Sequence, residues 1–151
     1  MTRKNTGFTL VEILIVVIIL GILAAIVIPQ FTEASNDARV SALVSDLQTA
    51  RSQIELYKVQ HKDNYPGTVS GTWTIGNFVP HLTGKTTIDG VAGGTLGSYL
   101  GKFPTNPFSV SGGNTVALVT TDPNTGSTTV GWWFNSTTGN FGINTTEYID
   151  R

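Results

Sequence analysis

A single acid stands in an oily stretch: Glu12 is the sole charge between Phe8 and Ile28. A charged carboxylate costs about 2.5–3.5 kcal/mol at the centre of a membrane and less near its edge, so such a residue calls for a cationic partner or a hydrogen-bonded cap. Other residues with chemical capacity are few. His61 and His81 are the only histidines. Neither lies in a nucleophile or metal motif, and both read as ordinary loop or helix-end residues. Asp122-Pro-Asn-Thr-Gly126 is a good turn. There is no Cys, hence neither a disulfide framework nor a thiolate metal site. Gly93-Gly94 and Gly112-Gly113 read as turns rather than phosphate cradles. No enzyme, no resident cofactor and no nucleic-acid partner are expected. The formal net charge is −1, with no basic patch to track a phosphate backbone.

The elements that hold Glu12 begin with a short basic segment, Met1 to Gly7, carrying Arg3 and Lys4. From Phe8 to Ile28, a helix at 1.5 Å per residue would span roughly 32 Å, the thickness of a bilayer's hydrocarbon core. A helix apolar on every face is rarely buried in so small a domain, so insertion in a membrane is the better reading. The positive-inside rule puts the N-terminus in the cytoplasm and the rest outside. Ala24-Ala25 lies within the apolar run and Val27 to Pro29 offer no convincing secretory cleavage site. An uncleaved signal anchor, carrying a binding protein or enzyme that never polymerises, is the reading from hydropathy alone.

Gly7-Phe8-Thr9-Leu10-Val11-Glu12, followed by the long apolar run, resembles the prepilin signal of type IV pilins and type II secretion pseudopilins. The resemblance is close from Met1 to about Tyr57 and loose beyond. It implies that a membrane-embedded prepilin peptidase cuts after Gly7 and methylates the new amino terminus at Phe8. A glycine at that place lets a protease approach closely and keeps the site extended. It further implies that Glu12 meets the α-amino group of Phe8 on a neighbouring subunit within a filament. That pair, poorly screened in an apolar interior, would set the axial register, because a mispaired carboxylate is left desolvated and alone. The local alternative is a capping box, Thr9-Leu10-Val11-Glu12, with Glu12 reaching back to the helix start. A carboxylate in a first turn also suits the helix dipole. The two can hold in turn, capping before assembly and pairing after. Gly21 and Pro29 weaken an α-helix. They are either tolerated, as in many membrane helices, or, as the family implies, allow Gly21 to Pro29 to unwind when subunits pack.

After Pro29 the pattern changes. Val40, Leu43, Val44, Leu47, Ala50, Ile54 and Tyr57 recur at helical spacing among charged residues, which predicts an amphipathic helix with one stripe to bury. Asp63-Asn64-Tyr65-Pro66-Gly67 is a strong stop. One helix from about Phe8 to about Lys62 would measure roughly 80 Å. Residues 64–114 read as loop-rich, with a short helix or strand among Gly and Thr. Thr115 to Thr120, Thr128 to Phe134 and Asn140 to Ile143 read as three strands joined by turns, an antiparallel meander. Trp132 and Trp133 should face opposite sides of their strand, one in the core and one on the surface. Asn135-Ser-Thr and Asn144-Thr-Thr match N-glycosylation sequons, as expected by chance in an Asn- and Thr-rich tail.

The expected fold is α+β: a long N-terminal helix packed on a small C-terminal antiparallel sheet, resembling type IV pilins. The expected organisation is a leader at 1–7, a transmembrane and filament-core helix at 8–29, an amphipathic helix at 30–63 and a globular head at 64–151. Lys102-Phe103-Pro104-Thr105-Asn106-Pro107-Phe108 and the three-strand ending resemble the major pseudopilins of type II secretion. That resemblance implies a calcium site in the loop between the last strands, where Asp122, Asn124 and Ser127 could supply oxygen ligands, although one carboxylate is a poor set for that ion. The short domain and missing Cys place the pseudopilin reading ahead of a type IV pilus subunit. The implied partners are further copies in a helical filament, the inner membrane, the prepilin peptidase, an assembly platform and minor pseudopilins or pilins. The implied location is a single pass of the inner membrane with the head in the periplasm.

Overall fold

The computed structural model describes residues 7–123 and 129–145. The chain divides into two compact units, residues 1–40 and 41–151. A single helix, α1 (Leu10–Gln60), begins in the first and ends in the second. Pro29 lies inside it.

In the first unit the apolar side chains from Phe8 to Phe31 are exposed on every face of the helix. This part is long and apolar enough to cross a membrane. With no covering protein in its own chain, the apolar surface calls for lipid or neighbouring subunits to remove it from water.

The second unit is built on the stripe read from the sequence. Leu43, Leu47, Ala50, Ile54 and Tyr57 are buried, at i, i+4, i+7, i+11 and i+14. α1 stops where the backbone turns left-handed at Lys62 and Asp63, with φ of 55° and 62°. The Asp63 N–H returns to the Lys58 carbonyl at 3.0 Å, satisfying one of the helix's last acceptors. The loop-rich region then holds a hairpin of β1 (Thr68–Val69) and β2 (Thr72–Trp73), a 3-10 turn at Ile75–Asn77, α2 (Phe78–Thr83) and a second hairpin of β3 (Lys85–Thr86) and β4 (Leu96–Gly97).

The last sheet corrects the meander. Its strands are β5 (Val116–Val119), β6 (Trp132–Asn135) and β7 (Phe141–Ile143), in that order. β6 and β7 are antiparallel, joined by the turn expected at residues 135–139. β5 and β6, however, run parallel, with Val116 opposite Trp132 and Val119 opposite Asn135. A parallel pair needs a crossover rather than a hairpin. The expected second strand starts too early, since Thr129 to Gly131 are not strand. The Asp122–Gly126 turn lies largely outside the described residues.

The core joins the helix stripe to Phe78, Leu82, Phe103, Trp132, Phe134, Phe141 and Ile143. Its aromatic rings pack in offset and edge contacts, such as Phe78 with Phe134 at 4.6 Å and Trp132 with Phe141 at 5.3 Å between centroids. Arg51 closes the join by donating Nε–H to the Phe141 carbonyl at 2.8 Å. Trp132 and Trp133 are both buried, which corrects the expectation of one surface tryptophan. Alternation does hold: Trp132 enters the core and Trp133 the opposite face. There the strand partner opposite is Gly142, whose missing side chain gives the indole its place. A Cβ at Gly142 would lie 2.5 Å from the ring.

Candidate functional site at the start of the apolar helix

Three residues of non-helical chain, Gly7 to Thr9, precede α1. Gly7 is exposed and nothing lies within 4 Å of where its Cβ would be. Phe8 is 83% exposed. Thr9 is the N-cap and Glu12 the third helical residue, and they bond reciprocally. The Thr9 backbone N–H and hydroxyl each donate to Glu12 Oε2 at 2.8 Å, and the Glu12 N–H donates to Thr9 Oγ1 at 3.3 Å. This is the capping box expected from Thr9-x-x-Glu12, satisfying donors that a helix start leaves orphaned. Both carboxylate bonds fall on Oε2. Among the described residues, Oε1 has no hydrogen-bond donor in its own chain.

The structure thus brings Gly7, Phe8 and Glu12 to one helix end. Gly21 and Pro29 lie further along the same helix, where no unwinding is seen: α1 is continuous through both. Pro29 has no N–H for the Ala25 carbonyl, and just beyond it the Thr32 hydroxyl donates to the Ile28 carbonyl at 3.1 Å.

In the head, Asp122 takes a different role from the one considered. Its carboxylate accepts the side-chain amides of Asn135, at 2.8 Å, and Asn140. The Asn135 amide cannot turn its oxygen to a cation there, because that oxygen accepts the N–H groups of Thr137 and Thr138. These amide donors tie the loop at Asp122 to the turn after β6. Asn124 and Ser127 lie outside the described residues. Among the described residues no cluster of three or more His, Asp or Glu could hold a metal. The sequon residues Asn135 and Asn144 are buried.

The histidines are helix-end residues as expected, His61 just past α1 and His81 in the last turn of α2. Both are buried, at 1% for His61 and 4% for His81. They flank Tyr57, whose phenol burial pushes up to about 12. The signal available in the sequence was spacing: His61 falls four residues after Tyr57, on the same helix face.

Residues 2–28 match the prokaryotic N-terminal methylation motif. The chain is 36% identical over 113 residues to the type II secretion system core protein G of Pseudomonas aeruginosa, covering 70% of each chain. The chain belongs to the type II secretion core protein G family. The G protein of Escherichia coli is 29% identical over 120 residues, covering 78% of this chain and 74% of that one. With the G protein of Dickeya chrysanthemi the match is 39% over 71 residues, about half of either chain. No solved structure matches. Membership in the G family fits the α+β, type IV pilin-like architecture and a chain anchored by one apolar N-terminal helix.

Proposed function

We propose that this G-family chain is the structural subunit of a pseudopilus, a helical filament extruded from the inner membrane, and that its work is mechanical rather than catalytic. The leader is residues 1–7, the membrane and filament-core segment 8–29, the amphipathic segment 30–63 and the periplasmic head 64–151. A prepilin peptidase cuts after Gly7 and Phe8 receives the methyl group. Filament growth draws the apolar helix out of lipid and buries it among further copies, with an assembly platform and minor pseudopilins as partners.

One observation carries this reading: the lone carboxylate of the apolar helix is capped through Oε2, and among the described residues no donor meets Oε1. Its Oε1 remains able to accept an ammonium N–H from Phe8 of another subunit without loss of the cap. Capping and pairing then coexist rather than alternate. A charge-assisted bond in an apolar interior is stronger than one in water, and a subunit out of register would lack it.

The test is Glu12→Ala. The variant should insert in the membrane normally yet fail to enter filaments. Normal filaments from it would rule out the pairing. Mass spectrometry of the mature protein should give a chain beginning at methylated Phe8. An intact Met1, or a cut after Ala25, would instead favour a signal-anchored protein that does not polymerise.

A further inference from the structure

His81 Nδ1 receives two hydrogen bonds, the backbone N–H of Gly67 at 3.1 Å and the hydroxyl of Tyr57 at 2.8 Å. A backbone N–H can only donate. Nδ1 must therefore carry a lone pair, the ring proton sits on Nε2, and the imidazole is neutral. Protonation would put an N–H at Nδ1, facing the Gly67 N–H donor to donor. We propose that this node is an acid-sensitive latch: protonation of His81 on α2 breaks its bond to the Gly67 N–H and loosens the segment from Tyr65 to Thr74 while the sheet core stays in place.

The segment is arranged to depend on that contact. Gly67 has φ of 104°, and a Cβ there would lie 2.8 Å from the Trp73 indole nitrogen, so this backbone sits tight beneath the hairpin. The Gly67 carbonyl accepts the Thr74 N–H at 2.9 Å, and Trp73 Nε1–H donates to the Pro66 carbonyl at 3.0 Å. The segment is also held by the Ser70 N–H to the Asp89 carbonyl at 2.9 Å, the Tyr65 hydroxyl to the Thr138 carbonyl at 3.3 Å and the stacking of Trp73 on Phe134. Losing the Gly67 bond therefore loosens the hairpin without detaching it.

The surrounding groups leave His81 as the sensitive member. From α1, the Tyr57 hydroxyl donates its hydrogen bond to His81 Nδ1. His61 stacks on Tyr57 with ring centroids 3.7 Å apart. It donates through Nδ1 to the Tyr57 carbonyl at 2.9 Å, and its Nε2 meets the Thr86 hydroxyl at 2.9 Å. A hydroxyl can donate or accept, so the Thr86 contact suits either role of Nε2. Tyr99 packs edge-on to Tyr57 at 5.3 Å and is neutral. Lys58 bonds the Tyr65 hydroxyl at 3.2 Å. Asp89, next to Gly90, is bound to Lys62 at 2.7 Å. Burial, and then the positive charge that His61 can carry, hold His81 below the ordinary imidazole value of 6.5. The folded state thus binds this proton less readily than the unfolded one. The latch is complete above pH about 6.5 and weakens as pH falls from there through the depressed folded value. None of this depends on the filament reading.

The test is amide exchange of the full chain in detergent micelles between pH 7.5 and 4.5, corrected for intrinsic exchange chemistry. In the wild type, opening of residues 65–74 relative to β6 should rise by up to about tenfold per pH unit below 6.5. His81→Asn keeps an acceptor near the Nδ1 position but does not titrate, so its profile should be flat. A flat wild type, or an Asn variant that follows the wild type, overturns the latch. Should the variant not fold, nitrogen-15 spectra of the wild-type imidazole decide. At pH 7.5 the proton should be on Nε2, and an Nδ1-protonated His81 overturns the proposal.

Discussion

Gly142 and Trp133 face each other across β6 and β7, and each explains the other. An added methyl at position 142 would meet indole carbons at 2.5 Å, and the ring is 6% exposed, with little room to retreat. Gly142→Ala should therefore destabilise the head by about 1–3 kcal/mol, the usual cost of overpacking. A urea midpoint followed by tryptophan fluorescence in detergent measures it, and an unchanged midpoint would mean that the indole moves freely. At this scale the sequence was legible where chemistry is local. Thr9 and Glu12 sit at capping-box spacing and form that box. Trp133 was illegible because alternation tells which face a side chain takes, not what covers that face. The burial of the histidines was illegible for a similar cause: the partners of His81, Gly67 and Tyr57, lie far from it in the chain.

Among the elements, α1 was legible to within about two residues at either end, since its apolar run, stripe and stop signals are all local. The sheet was half legible. The turn at 135–139 gave β6 and β7 their antiparallel pairing. The parallel partner β5 was hidden because turn-forming residues after Val119 resemble a hairpin whether or not the strands pair that way. Pro29 poses the element's own question. It interrupts the ladder of a helix that stays continuous, which leaves one weak point between two strong segments. Pro29→Ala restores the missing bond and removes a penalty of about 3 kcal/mol in a helix interior. Amide exchange at residues 25–33 in micelles should slow markedly. If unwinding from Gly21 to Pro29 accompanies filament packing, the same variant should insert normally and assemble more slowly. Assembly at the wild-type rate, with exchange slowed, would remove any role for unwinding.

At the scale of the whole molecule, the two units differ in what they need from outside. Every residue of the buried core, from Leu43 on α1 to Ile143 on β7, belongs to residues 41–151. The apolar side chains from Phe8 to Phe31 are exposed and contribute nothing to that core. Their burial is deferred to lipid or to other subunits. On the proposed reading, the head carries its own stability and the helix start carries the association. A chain lacking residues 1–31 should accordingly be soluble and monomeric, retaining a cooperative thermal transition. Its midpoint should lie within about 5 °C of the head's transition in the full chain, roughly the shift that 1 kcal/mol produces in a domain of this size. The Arg51 bond to Phe141 and the Tyr57–His81 contact should persist in it, because both partners of each are retained. Calorimetry and near-ultraviolet circular dichroism check this directly. Loss of the near-ultraviolet signal with helix content retained would show that the head cannot hold specific packing without the apolar segment. The division of labour between stability and association would then be wrong.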